Sequence, residues 1–341
     1  MTEFGACFDA WHWSKPLEEL ERFPEHGLTW QRSVLFLDRD YRYLFKGAHD
    51  LGLKNAIVIA GESIAGRSFT DVAYTYAERY DGLVDLVLVG NEADQQPHED
   101  LDESFEQTSN EWNALLDAFI TYWPNVSKAG PGASSGHPEY LAGFDLHKLD
   151  YISGHPVGKI PKNLSKQLLP SGFGFGPLEG WLEQYSEFGK QLVVDEYIGK
   201  ESELKDAHAV YLGAMTAQLN DPNVFLAMVY CWSDRMSPDP RAGLVREDGS
   251  IKPALAAVRY SIRNNQVWEP EIKGGKQVGQ TIEQFVEQHE ADLGQVWVKP
   301  GTVSKKIKRI AITDHHILFE YKDENGETWV TPIHQDDSLF Q

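Results

Sequence analysis

The feature that most constrains the fold is an alternation of short apolar runs with longer amphipathic stretches, which continues to about residue 265. This rhythm is typical of βα units built around a parallel sheet. Eight apolar runs in order favour a closed barrel over an open sheet. The predicted strands are Gly5–Ala10, a run within Leu28–Leu37, Ala56–Ala60, Leu83–Val89, Ser127–Gly130, Asp150–Ser153, Gln191–Asp195 and Val224–Cys231.

The stretches between these runs have the apolar spacing of helices. Predicted helices span Tyr41–Leu51, Phe69–Tyr80, Ser104–Trp123, Leu178–Phe188, Glu203–Leu219 and Pro253–Ile262. Strands and helices in this order predict an α/β fold, a (β/α)₈ TIM barrel, over residues 1–265.

The pattern changes after Val267. Thr281–Ala291 is a short amphipathic stretch that predicts one helix. Ile317–Lys322 and Thr328–Ile333 alternate as strands do, and they are joined across Asn325-Gly326, a pair that suits a tight hairpin turn. Residues 266–341 are therefore predicted to form a small β-rich C-terminal appendage.

The charge balance limits the partners that the protein can bind. Lys and Arg number 31 against 52 Asp and Glu, a formal net charge of −21, which repels nucleic-acid phosphates and anionic lipid head groups. We therefore expect no nucleic-acid or membrane partner, and a neutral or cationic substrate rather than a strongly anionic one. The oligomeric state is left open.

The two cysteines, Cys7 and Cys231, are too few for a disulfide-framed secreted domain, so a pair of buried thiols is expected. The N-terminal residues lack the basic start and apolar run of a signal peptide, and no stretch approaches the length of a membrane span. These features predict a protein that is cytoplasmic or released without a Sec signal.

Polar and aromatic residues follow the predicted strands. Because a (β/α)₈ barrel carries its active site at the carboxyl ends of its strands, we expect these side chains to meet at one rim. The residues at the strand ends are Trp11 and Trp13 after the first strand, Glu62 after the third, Asn91 and Glu92 after the fourth, His155 after the sixth, Glu196 and Tyr197 after the seventh, and Trp232 after the eighth.

Two of these side chains suggest a chemistry. Glycoside hydrolysis needs two carboxyl groups across the scissile bond, about 5–5.5 Å apart in retaining enzymes. The fourth and seventh strands lie on opposite sides of an eight-stranded barrel, so Glu92 and Glu196 can approach each other over its mouth. Asp195 is adjacent to Glu196, and strand alternation predicts that only one of these two faces the mouth.

The motifs at these strand ends resemble those of the glycoside hydrolases of clan A. The resemblance covers residues 5 to 262 in order. It consists of Asn-Glu after the fourth strand, Ala129–Gly132, Asp150–Pro156, Glu196, Trp232, and the segment from Gly243 through Asp248–Ser250 to Ala254. Ala93 stands where the clan usually has proline, and Val157 where it often has an aromatic residue.

The resemblance implies a retaining hydrolase of β-linked neutral oligo- or polysaccharides. It implies that Glu92 is the acid/base, with a raised pKa, and that Glu196 is the nucleophile. Asn91 would bond the sugar 2-hydroxyl, and His155 would lie near the catalytic pair. Further roles are implied for Trp232, which would stack under the sugar, for Tyr197 as a candidate to orient the nucleophile, and for Arg32 as the arginine of strand two.

Three other readings remain. Trp11 and Trp13 either line sugar subsites or pack within the barrel. The barrel could instead be a non-catalytic carbohydrate-binding or structural protein, or an unrelated barrel enzyme.

No Cys or His cluster has metal-ligand spacing, so we expect no metal and no cofactor. Gly172–Gly176 is glycine-rich, but its alternate phenylalanines favour a lid over a phosphate-binding loop.

Overall fold

The computed structural model describes most of the first 266 residues and the strands of the remainder. The described residues are 2–59, 64, 66–92, 105–133, 141, 143–156, 171–172, 176–201, 208–237, 241–266, 277–278, 297–300, 307–312, 316–322 and 328–334.

Eight parallel strands form a closed barrel in chain order, with the eighth strand beside the first. This confirms the predicted (β/α)₈ fold. The strands are β1 (Glu3–Cys7), β2 (Trp30–Val34), β3 (Lys54–Ile59), β4 (Leu86–Val89), β5 (Ser127–Ala133), β6 (Tyr151–Gly154), β7 (Leu192–Ile198) and β8 (Val224–Tyr230).

In the described residues an α-helix follows each barrel strand except β5, which is followed by a 3₁₀ turn. The helices are α1 (Pro16–Leu20), α2 (Arg42–Asp50), α3 (Phe69–Tyr80), α4 (Phe105–Tyr122), α5 (Leu178–Ser186), α6 (His208–Leu219) and α7 (Pro253–Asn264). Short 3₁₀ turns lie at Ala10–His12, Pro24–His26 and Leu146–Lys148.

Local sequence signals explain several helix boundaries. Helix α3 begins after Ser68, whose hydroxyl accepts from the backbone N–H of Asp71 at 3.1 Å and so caps the first turn. Gly52, with a φ of +76°, supplies the left-handed residue just beyond α2. Strand β1 ends earlier than the predicted Ala10 because a 3₁₀ turn begins at that residue.

The barrel interior is filled by apolar side chains that alternate along the strands. They form one buried cluster of Trp30, Ala56, Val58, Leu86, Leu88, Ala129, Val193, Leu226 and Met228. A packed interior of this kind gives the strands a fixed register, so residues just beyond it are presented from a rigid rim.

The chain divides into two compact units. The first comprises Met1–Gly158, Ser171–Ile198 and Leu219–Trp232, and it contains all eight barrel strands. The second comprises Lys159–Pro170, Gly199–Gln218 and Ser233–Gln341. The proposed domain boundary near residue 265 stays a prediction.

The C-terminal appendage contains a five-stranded antiparallel sheet, of which the alternating pattern predicts two strands. Its strands are β9 (Gln277–Val278), β10 (Trp297–Pro300), β11 (Ile307–Ile312), β12 (His316–Lys322) and β13 (Thr328–His334), in the spatial order β9-β13-β12-β11-β10. The predicted helix Thr281–Ala291 and the Asn325-Gly326 turn lie outside the described residues.

Two further expectations concern the described parts of the chain. Cys7 and Cys231 are both buried free thiols, as predicted. Ser171–Gly172 pairs antiparallel with Gly176–Pro177, while the predicted lid residues between them lie outside the described residues. Among the described helices, none is both long enough and apolar enough to cross a membrane.

Candidate active site

The carboxyl ends of β2, β4, β6 and β7 bring five polar side chains together. Arg32 and His155 are the two buried bases of the cluster, with 3% and 0% exposure. Glu92, Asp195 and Glu196 are its acids. All five belong to the first unit of the chain, which holds the complete barrel.

His155 connects the two predicted catalytic glutamates. Its Nδ1 lies 3.4 Å from Glu92 Oε1 and 3.9 Å from Glu196 Oε2. Those two oxygens can therefore be separated by no more than the sum of these distances. The convergence expected for Glu92 and Glu196 is thus present in the described geometry, although their catalytic roles stay a prediction.

Arg32 reaches β7 from β2. Its Nη1 lies 2.8 Å from Glu196 Oε1, and its Nη2 lies 3.6 Å from Asp195 Oδ2. Nη2 also donates to Asn91 Oδ1 at 3.0 Å, and Nη1 to the sulfur of Cys7 at 3.4 Å. A planar guanidinium can hold several acceptors at once in fixed directions, so Arg32 aligns Asn91 with Glu196.

A bulge in β7 overturns the expectation from strand alternation that Asp195 and Glu196 point to different sides of the strand, although only Glu196 of the two is exposed. In the pairing with β8, Val194 is opposite Ala227 and Tyr197 is opposite Val229, so β7 has one extra residue. A bulge of this kind sets two residues against one and interrupts strict alternation. Asp195 and Glu196 consequently both contact Arg32 and approach His155.

The electrostatics of the cluster centre on His155. Burial opposes protonation of its ring, but the charges of Asp195 and Glu196 and the hydrogen bond to Asp195 raise the pKa of His155 to about 10. The hydrogen bond from His155 in turn lowers the pKa of Glu92 below its usual value. This direction is opposite to the raised pKa expected for Glu92, because a charged imidazole, and not only a second carboxylate, lies beside it.

The backbone at Glu92 has an unusual conformation. Its φ is +51°, in the left-handed region that non-glycine residues rarely adopt, and its N–H donates to the carbonyl of Gly132 at 2.9 Å. Strained residues of this kind occur preferentially at functional sites. The bond to Gly132 ties the backbone at Glu92 to β5.

Trp112 of α4 supports this loop from behind. Its Nε1 donates to the carbonyl of Val89 at 2.7 Å, and its ring fills the space beside Gly90 and Gly130. A Cβ at Gly130 would lie 2.6 Å from Cζ2 of Trp112. The glycines after β4 and in β5 are the sequence signal for this close packing.

The aromatic residues predicted to bind sugar are placed differently from one another. Trp232 is fully buried, its ring packs 4.6 Å from Phe23, and its Nε1 donates to Glu19 Oε2 at 3.1 Å. Trp13 is buried and stacks on Phe8. The platform role of Trp232 stays a prediction, and this packing does not support it.

Other predicted residues differ in accessibility. Trp11 is half-buried with its ring edge-on to Phe36, and Tyr197 is fully buried.

Tyr230 at the end of β8 is half-buried, and burial raises the pKa of its hydroxyl, with further contributions from Cys231 and Glu196. The sequence analysis gives Tyr230 no role, because it assigns the aromatic position after the eighth strand to Trp232. Glu62 lies outside the described residues.

Comparisons with known proteins bear on the fold. A scan against protein-family models found no match, and a search of curated proteins found none. The barrel is similar to solved structures, among them a glucosidase from Croceicoccus marinus, with a TM-score of 0.56 and 12% identity over 100% of this chain and 82% of that one.

Two further solved structures are similar. A monomeric beta-xylosidase from Caulobacter crescentus matches with a TM-score of 0.58 and 14% identity over 95% of this chain and 74% of that one. The catalytic domain of a mannanase from a Streptomyces species has a TM-score of 0.54 and 13% identity over 79% of this chain and 88% of that one. The chain has the barrel fold of glycoside hydrolases.

Within the described residues, no group of three or more His, Cys, Asp and Glu side chains is arranged to hold a metal ion.

Proposed function

We propose that this protein is a retaining glycoside hydrolase that cleaves β-linked neutral oligo- or polysaccharides. The observation that carries the proposal is the approach of Glu92 and Glu196, from different barrel strands, to the same nitrogen of His155. Two carboxylates held close together over a barrel mouth suit glycoside hydrolysis, and the resemblance to clan A adds the double displacement. A β-glycoside as substrate is supported by three proteins of similar fold, which are described as a glucosidase, a beta-xylosidase and a mannanase.

Accessibility favours Glu196 over Asp195 as the nucleophile. The Asp195 side chain is fully buried, whereas Glu196 is 19% exposed and Glu92 is 39% exposed. A substrate can reach only carboxylates that open onto the mouth. Glu196 therefore attacks the anomeric carbon while Glu92 gives its proton to the leaving oxygen. Water, deprotonated by Glu92, then attacks the anomeric carbon, which breaks the bond to Glu196 and frees the sugar.

Neighbouring residues bind and orient the sugar. The Oδ1 of Asn91 accepts from Arg32, which leaves the amide nitrogen of Asn91 to donate to a sugar hydroxyl. Tyr230 is the accessible aromatic residue at the end of β8 and is assigned the contact with the sugar ring in place of Trp232. The net charge of −21 is compatible with a neutral substrate.

The nucleophile is tested with aryl β-glucosides, β-xylosides and β-mannosides. Glu196→Ala abolishes hydrolysis of the substrate that the wild type cleaves, and added azide restores turnover to the inverted glycosyl azide. Glu187→Ala, which removes an exposed carboxylate nearby in sequence, keeps the activity. Full activity in Glu196→Ala would overturn the assignment.

One observation favours a second candidate, a barrel that binds carbohydrate without cleaving it. His155 lowers the pKa of Glu92, whereas a general acid at neutral pH needs a raised one. Binding of β-1,3-, β-1,4- or mixed-linkage glucans with no release of reducing sugar across the panel would support this candidate.

A further inference from the structure

The bulge in β7 brings a third acidic group, Asp195, to the site beside Glu92 and Glu196. Unlike those two, Asp195 cannot be reached by substrate. Asp195 is fully buried, and its Oδ2 lies 3.0 Å from His155 Nε2 and 3.6 Å from Arg32 Nη2. A buried carboxylate is costly unless it is paired, so these two cations are what make its position stable. Asp195 therefore acts on the site through other residues and not on the substrate.

The surroundings of the His155 ring fix its protonation state. Nε2 faces the Asp195 carboxylate, and Nδ1 faces Glu92 and Glu196. A neutral imidazole has one nitrogen that can only accept a hydrogen bond, and here that nitrogen would meet the lone pairs of an ionised carboxylate. The imidazolium donates from both nitrogens and satisfies both sides.

The charged groups around the ring come from three strands. Glu92 follows β4, Asp195 and Glu196 belong to β7, and Arg32 of β2 contacts both β7 carboxylates. Asp195 is the group bonded to Nε2, on the side of the ring away from the glutamate pair. It can therefore fix the charge and orientation of the ring while Nδ1–H remains directed at Glu92 and Glu196.

We propose that Asp195 is a positioning residue that holds His155 as an imidazolium, with its Nδ1–H directed at the catalytic glutamates. The raised pKa of His155 and the lowered pKa of Asp195, for which burial is offset mainly by the His155 charge, support this geometry. The kinetic part of the inference rests on the proposed glycosidase function, whereas the protonation state of His155 does not.

The protonation state is measured by ¹⁵N NMR of histidine-labelled protein across a pH series, with His155→Gln used to assign the ring signals. In the wild type, both His155 nitrogens stay protonated well above neutral pH. In Asp195→Asn, the ring loses its proton at lower pH than in the wild type. A wild-type ring that is neutral at pH 7 overturns the proposal, even if Asp195→Asn does not fold.

The pH profile of kcat/KM shows whether Asp195 positions His155 or only supports the fold. In the wild type the charged ring keeps the pKa of Glu92 low, so loss of that charge in Asp195→Asn moves the alkaline limb of the kcat/KM profile to higher pH. A misplacement of about 1 Å at a catalytic site can cost about 10²-fold in rate, and we expect a kcat/KM loss approaching that order. The loss disappears when Asp195→Asn is made in the His155→Gln background.

Asp85→Asn is the matched control. Asp85 forms another Asp–His pair, in which its Oδ2 lies 2.9 Å from His49 Nε2, and both side chains are about one-third exposed. The substitution removes the carboxylate of that pair. This variant leaves the kcat/KM profile unchanged. An equal loss of activity from Asp195→Asn with and without His155 contradicts the proposal. If no β-glycoside is cleaved by any variant, the glycosidase function fails, while the NMR titration still tests the role of Asp195.

Discussion

Arg32 donates from Nη2 to the side-chain oxygen of Asn91 at 3.0 Å, which joins the end of β2 to the residue before Glu92. The same guanidinium contacts Glu196 at 2.8 Å through Nη1. One side chain therefore sets the position of the amide beside the predicted acid and of the carboxylate predicted to be the nucleophile.

Replacement of Arg32 should reduce both stability and activity. Arg32→Met leaves Asp195 buried with one of its two cations removed, and loss of one partner of a buried ion pair costs about 3–5 kcal/mol. Arg32→Lys keeps a charge but not the planar fork, so kcat falls even where the fold persists. Urea unfolding measures the loss of stability.

Arg42→Met is the control, because it breaks only an exposed pair with Asp40 and should change the free energy of unfolding little. Equal losses of stability in Arg32→Met and Arg42→Met would refute the prediction.

Glu92→Ala should discriminate between leaving groups. General acid catalysis typically contributes about 10²–10⁴-fold, so hydrolysis of an alkyl or oligosaccharide glycoside falls by that order. A dinitrophenyl glycoside needs little protonation of its leaving group, and its glycosylation rate falls much less. Single-turnover rates for both substrates measure the difference. Glu92 is not the acid if the two rates fall equally.

Gly130→Ala should disrupt the site through Trp112. The new Cβ would lie 2.6 Å from the Trp112 ring and 2.7 Å from the carbonyl of Val89, so the end of β4 must shift. We expect a loss of kcat/KM together with about 1–3 kcal/mol of stability. Gly82→Ala is the control, because its φ of +74° makes alanine strained, yet nothing lies within 4 Å of the new Cβ. It loses stability but keeps kcat/KM.

His208 should make the protein sensitive to acid. Burial lowers the pKa of His208 to about 4, and its Nε2–H donates to the carbonyl of Gly199 at 2.8 Å. Between its unfolded pKa of about 6.5 and this folded value the unfolded chain binds the extra proton, so this contribution to stability is lost as pH falls through that window.

His208→Gln keeps a donor for Gly199 and does not titrate. Unfolding free energies measured from pH 7 to pH 4 should therefore fall less steeply in the variant than in the wild type. Parallel curves for the two proteins would show that His208 is not responsible for the acid sensitivity.

Much of the fold follows from local patterns in the sequence. The predicted helix Phe69–Tyr80 has the same bounds in the structure, where the Ser68 side chain caps its start. The apolar run Leu83–Val89 is typical of a buried parallel strand, and it contains β4, whose residues Leu86–Val89 are all buried. Such features depend on neighbours in sequence, so one chain is enough to recognise them.

The site was harder to predict where it depends on partners distant in sequence. Trp232 follows β8 as the clan resemblance implies, but its ring packs on Phe23 and its Nε1 donates to Glu19, more than 200 residues earlier. The direction of the Glu92 pKa likewise depends on His155, which the sequence placed at the rim without revealing its charge.

The sequence by itself determined the eight-stranded barrel, the position of Glu92 and Glu196 at or near the carboxyl ends of two strands, and the excess of acidic residues. Tertiary structure alone decided that Asp195 and Glu196 both face Arg32 and His155, because a bulge is a property of the register between β7 and β8. Alternation can be read from one strand, but an extra residue in a pairing exists only once the partner strand is beside it.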